Sequence, residues 1–287
     1  MNKLLSAGFS RMFKGKIFWI GIAFLVFIAI MINVTHYYDM LDGYNTYLDC
    51  DFFMVLVIIG IVAAVFCSLF ICTDYSDGTI RNKITIGRSR IEIYLSKLIV
   101  SVTACILMYI SYILVYTAIG ALFLKMSETS FKTLLILFIA AIMLTAAYCS
   151  IFTLLSMLIG NKAISSVVCI LFSLVLFCGG VYLSSKLEEP EYLYFTASAD
   201  DYGITYDDDE ISETSETAKK TVPNPHYVSG TEREIYEFLY DFLPCGQAIQ
   251  ISNNDYKRPE LFIPYSSVII VVTTAVGIFF FRKKNIK

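Results

Sequence analysis

Six stretches of the chain contain no Asp, Glu, Lys or Arg: Ile17 to Val34, Phe52 to Thr73, Leu98 to Leu124, Thr133 to Gly160, Ala163 to Ser185 and Leu261 to Phe281. Each is long enough to cross a hydrocarbon core of about 30 Å as a helix, and each predicts one membrane span. The third and fourth exceed what a bilayer needs, so they are expected to tilt or project rather than to divide into two spans each. No segment keeps the two-residue alternation, over strands of about ten residues, that an outer-membrane barrel requires. The fold class read from this pattern is an all-α polytopic membrane protein with six transmembrane helices.

Composition agrees. The 287 residues are 57% hydrophobic and 16% charged, with a mean hydropathy of +0.66, whereas soluble domains are about 25% charged. The formal net charge of -3 decides nothing by itself, because orientation follows the sidedness of Lys and Arg. With the N-terminus inside, the cytoplasmic loops and tails hold fourteen of the 22 basic residues, opposed only by Asp74, Asp77 and Glu92. The first outer loop, Thr35 to Asp51, then has four Asp and no basic residue. Both termini are expected in the cytoplasm of a multi-pass protein of the cell membrane. Residues 1–185 would hold an N-terminal helix and five spans, 186–260 the largest outer loop, and 261–287 the sixth span and a basic tail.

The basic stretch before the first span has no small-residue cleavage site after it, and five more spans follow, so it reads as an uncleaved signal anchor. Leu5, Phe9, Met12 and Phe13 share one helical face, with Lys3, Ser10, Arg11 and Lys14 away from it. That is the pattern of a helix lying in the inner interface; the alternative is a basic flank that merely orients the first span.

In the outer region, Asp200 to Thr217 is acidic and polar. Its run Asp207 to Glu210 lacks the spaced ligands of a calcium loop and reads as a solvated segment. Thr231 and Glu234 make a T-x-x-E capping box, Ile235, Phe238, Leu239 and Phe242 recur at helical spacing, and Pro244 stops the run. A short amphipathic helix packed on the outer ends of the spans is expected there.

Several chemistries lack their residues. His36 and His226 are the two histidines, without metal-pair spacing, and no H-E-x-x-H or nucleotide-binding Walker motif occurs. Six cysteines, Cys67, Cys72, Cys105, Cys149, Cys169 and Cys178, lie within spans, where cysteine usually acts as a small packing residue. Cys50 and Cys245 fall outside; sequence leaves open whether they pair. No ionisable residue lies within the six uncharged stretches, although ion-coupled transporters keep such groups in their helices. Uphill transport by this chain would therefore draw its energy from a partner.

The loop between the second and third spans, residues 74–97, carries the most specific signal. Gly78 permits a sharp turn, Ile80 and Ile84 lie one helical turn apart among Arg81, Asn82 and Lys83, and Gly87 can end that short helix. Ser89 and Glu92 form an S-x-x-E capping box for the helix that runs through Lys97 into the third span. Charge alone also suits a basic tether on anionic lipid.

Asp74-Tyr75, Gly78-Thr79, Gly87, Ser89-Arg90 and Lys97 resemble the first cytoplasmic loop of the permease subunits of ABC-2 type transporters, particularly the small six-helix bacterial ones. The family often has Glu where this chain has Asp74, which keeps the charge and shortens its reach. The resemblance implies that the loop couples to a separate cytoplasmic ABC ATPase through Asp74, Gly78, Thr79, Arg81, Ile84, Gly87, Ser89, Arg90 and Lys97. ATP and Mg would then bind that partner, with no cofactor and no catalytic residue in this chain, which would not be an enzyme. It also implies an exporter half that pairs with a second copy or a similar permease, in contact with lipid and not with nucleic acid.

Two stripes of small residues carry a double reading. Gly60, Ala64 and Ser68 on the second span, and Ser166, Cys169, Ser173 and Gly180 on the fifth, serve close helix packing or border a translocation path. Tyr109, Tyr112 and Tyr116 align on the third span, and their hydroxyls are expected to bond neighbouring segments. A membrane-anchored sensor or scaffold with an acidic ligand-binding outer region is the competing function. The helix break after the second span favours the transporter.

Overall fold

A computed structural model of the chain describes residues 1–44, 46–49, 51–125, 130–196 and 219–284. Cys50 and the acidic segment Asp200 to Thr217 lie outside the described residues. The chain begins with α1 (Asn2–Lys14), which Gly15 in extended conformation separates from α2 (Lys16–Leu41). Then follow α3 (Leu56–Ser76), the short α4 (Thr79–Thr85), α5 (Arg90–Gly120), α6 (Phe131–Ile159) and α7 (Lys162–Glu188). Strands β1 (Tyr192–Thr196) and β2 (Lys219–Pro223), helices α8 (Thr231–Phe242) and α9 (Pro244–Ser252), and finally α10 (Phe262–Lys283) complete it.

Among the described residues six helices, α2, α3, α5, α6, α7 and α10, are long and apolar enough to cross a membrane. Even the 21-residue α3 is about 30 Å long. Each span runs past its uncharged stretch at one end or both, where polar residues continue the helix, whereas α3 begins at Leu56 and α5 stops at Gly120, inside their stretches. In α5 the first two turns carry Arg90, Glu92 and Lys97.

α3 is the core of the bundle. It packs against α5, α6 and α7, with Ile59, Ala63, Ala64, Cys67 and Ile71 fully buried. α2 lies on α5, and α10 on α6. Their outer faces are apolar and bare: Ile20, Phe24 and Phe27 on α2, Val167, Leu171 and Val175 on α7, and Val271, Val272 and Phe279 on α10 are exposed. Side chains of this kind fit lipid tails. α1 packs along α5, burying Leu4 and Met12 with Leu5 and Phe9 partly covered, while Phe13 stays half exposed.

The N-terminus and the end of α10 lie at one end of the bundle with α4, since the Met1 amine is 3.7 Å from Glu92 and Arg90 binds the carbonyls at the end of α10. At the other end Tyr112 and Tyr116 donate to the carbonyls of Asp51 and Leu48, at 3.3 and 2.9 Å. Those two phenols tie the loop before α3 to α5.

The outer region departs from the sequence reading in three ways. The chain is not wholly helical: the aromatic run at Tyr192 pairs antiparallel with residues 219–223, Tyr192 opposite Pro223, as β-prone aromatic residues favour. Second, no Thr231 capping box forms. Gly230 is the N-cap, with φ of 63°, and Thr231 is already helical. Third, Pro244 ends one helix and begins another, occupying the first turn of α9, where its missing N–H is no loss. The Gln247 side chain donates to the carbonyls of Asp241 and Phe242, at 2.9 and 3.3 Å, and so caps the end of α8.

Candidate functional site

The loop from Asp74 to Lys97 is built on two glycines in the left-handed region. Gly78, with φ of 67°, closes α3 and opens α4; Gly87, with φ of 88°, reverses the chain toward α5. A side chain at either would meet nothing within 4 Å, so backbone conformation alone demands glycine. The Thr79 hydroxyl donates to the Asp74 carbonyl at 3.0 Å, fastening the turn. Ser89 is the N-cap of α5, its hydroxyl accepting from the Glu92 N–H at 3.2 Å. The Glu92 carboxylate faces the N-terminal amine of the chain.

Asp74 is fully buried and is the hub of the site. Its carboxylate meets Arg11 from α1, Lys83 from α4 at 3.1 Å, and Lys97 from α5. Arg11 also reaches Asp77 at 3.3 Å, and the Lys97 ammonium lies 4.6 Å from the Phe70 ring centre, a favourable cation–π distance. Burial and the neighbouring Arg11 guanidinium lower Lys83 from the ordinary lysine pKa; the Asp74 carboxylate works the other way. Reading Arg11 as directed away from the packed face of α1 is thus corrected. Its guanidinium turns inward to the buried Asp74 carboxylate and also meets Asp77.

The apolar residues of the loop divide sharply. Ile80 is fully buried and Ile84 packs against the bundle core, whereas Ile86 is 80% exposed. Ile84 therefore faces its own chain, and Ile86 is the apolar side chain that the loop holds out. Arg81 is also exposed. Arg90 points the other way, donating to the carbonyls of Phe281, Arg282 and Lys284. Tyr75 and Lys284 both donate to the Met157 carbonyl, at 2.7 and 3.0 Å, so α3, α6 and the tail meet behind the loop.

Of the small residues, Gly60, Ala64, Ser68, Cys169, Ser173 and Gly180 are buried. A methyl group on Gly60 would come within 3.1 Å of the Tyr148 ring and 3.5 Å of the Ser173 hydroxyl; glycine lets α3 approach both α6 and α7. On α7 one position differs from the sequence reading. Ser165, not Ser166, shares the buried face with Cys169 and Ser173, and Ser166 bonds back to the Lys162 carbonyl.

Sequence reasoning missed the roles of Arg11, Lys83 and Ile86. Arg11 lies 63 positions from Asp74, and no local pattern links them; an uncompensated acid at the end of an apolar span was the signal available. No curated protein matches the chain. A family model described as ABC-2 family transporter protein matches residues 4–180, more than half of the chain and everything from α1 into α7. This multi-pass membrane protein belongs to the ABC-2 transporter family.

Proposed function

We propose that the chain is the membrane-spanning half of an ATP-driven exporter, and that its 74–97 loop faces the cytoplasm and docks a separate ABC ATPase subunit. The observation that carries this reading is Ile86. It is an 80% exposed isoleucine on a loop braced from behind by the buried Asp74 ion cluster. A single exposed isoleucine needs no explanation by itself; family membership gives this one a use, as an apolar contact for the partner's groove. The family membership and the basic residues gathered at this end support the same orientation. ATP and Mg would sit in the partner, and closure of two ATPase subunits would push on α4. A second copy of this chain, or a similar permease, would complete the pathway.

A photo-crosslinking amino acid at position 86, in native membranes, tests the docking. An adduct with a nucleotide-binding ATPase is expected; adducts with lipid alone would overturn it. Direction is read separately, from ATP-dependent accumulation of cargo in inside-out vesicles.

A further inference from the structure

Three thiols from three different spans meet in the interior of the bundle. Cys67 of α3, Cys105 of α5 and Cys149 of α6 are fully buried, and their sulfur atoms all lie within 4.8 Å of one another. The Cys149 thiol donates weakly to the Ser101 carbonyl at 3.8 Å. The Ser101 and Thr153 hydroxyls lie beside Cys67; both are fully buried and have no conventional hydrogen-bond partner among the described residues. The triad is separate from the ion cluster. Cys67 is about 10 Å along α3 from Asp74, and Cys105 about 12 Å along α5 from Lys97.

A single buried cysteine acts as a small hydrophobe, but three converging sulfurs flanked by two buried hydroxyls, with no partner but a neighbouring thiol among the described residues, make a ligand set. We propose that Cys67, Cys105 and Cys149 form a three-sulfur site for a trivalent arsenic or antimony hydroxide. Trivalent arsenic carries a lone pair and is pyramidal, so bonds of about 2.3 Å set its sulfurs roughly 3.5 Å apart, and thiols that already lie within 4.8 Å of one another close around it by about 1.3 Å at most. Charge selects the ion. Three bonds from arsenic to oxygen break and three to sulfur form, each thiol proton leaves with a hydroxide as water, and the oxidation state is unchanged. Reactants and product are all uncharged. Copper(I) on three thiolates would leave two negative charges, and zinc one, in the apolar, low-dielectric interior of the spans. The Ser101 and Thr153 hydroxyls are placed to hydrogen-bond the bound sulfurs. A loaded site would staple α3, α5 and α6 together, and it stands independently of the ATPase-docking reading.

The test uses the full chain purified in detergent, incubated with sodium arsenite and read by native intact-mass spectrometry. One adduct is expected, heavier by one arsenic less three hydrogens, with arsenic X-ray absorption showing three sulfur neighbours. Cys67→Ser, Cys105→Ser and Cys149→Ser, each checked for a single folded species, should lose that adduct; Cys105→Ala replaces any serine variant that does not fold. Cys178→Ser, at an exposed cysteine on α7, should keep it. Wild type retaining no arsenic, oxygen neighbours in place of sulfur, triad variants that bind like wild type, or copper(I) binding without arsenite binding would each overturn the proposal.

Discussion

The Lys83 ammonium lies 3.1 Å from the Asp74 carboxylate, so the loop helix is pinned by its own side chain to the span that precedes it. Asp74 holds cations from three other helices at once, and those four elements are not free to move separately.

Removing the charge from that hub should be costly. Asp74→Asn leaves Lys97 buried without its counter-ion, and losing one partner of a buried pair costs about 3–5 kcal/mol. Thermal unfolding in detergent should show a clear fall for Asp74→Asn and partial recovery in Asp74→Asn with Lys97→Met. An unchanged melting temperature for the single variant would show that the cluster adds no stability.

Ile84 and Ile86 should fail differently. Ile86→Asp alters an exposed side chain, for which stability changes stay within about 0.5 kcal/mol, yet it should abolish ATPase co-purification. Ile84→Asp places a charge against the bundle core and should lower stability as well. Equal stability and equal ATPase retention in both would remove the distinction.

Gly78→Val forces a β-branched residue into the left-handed region, at a cost of about 1–3 kcal/mol, while Asn tolerates it better. ATP-dependent transport should rank Gly above Asn above Val, with membrane insertion preserved in all three. If valine transports normally while neutralising Arg81 and Arg88 stops transport, the loop acts as a basic tether on lipid.

Orientation is open to labelling. In a variant without other reactive cysteines, Ile86→Cys should resist an impermeant maleimide in whole cells, and Glu232→Cys on α8 should react. The reverse pattern would invert the topology.

Arg90→Ala should free the tail, because its guanidinium caps the last carbonyls of α10. Faster trypsin cleavage after Arg282 and Lys283 is expected. Arg90→Lys should restore little, since an ammonium cannot reproduce the fork.

The spans were legible because the bilayer demands long uncharged runs, and Gly78, Ser89 and the break after α3 were legible because turns and caps need particular residues. The limits came from interactions that ignore local sequence. Arg11 looked like a surface charge because its partner lies far along the chain. Ser165 and Ser166 differ only in helix phase, which packing settles. The sequence points to Ile84 as the side chain against the partner and passes over Ile86, whereas Ile84 packs on the bundle, since a two-turn helix has too few residues to fix its buried face. The meeting of Cys67, Cys105 and Cys149 depends on how three helices cross, which no spacing encodes.

The Asp74 hub also bears on the order in which the protein is made. Chains emerge from the ribosome N-terminus first, so Arg11 already exists when Asp74 is synthesised, whereas Lys83 and Lys97 do not. A pairing of Arg11 with Asp74 can therefore shelter the acid at the membrane surface while α5 is still being translated. The N-terminal helix would then act first as a temporary counter-ion carrier during insertion, and shortening it should slow biogenesis even where the finished bundle tolerates the loss.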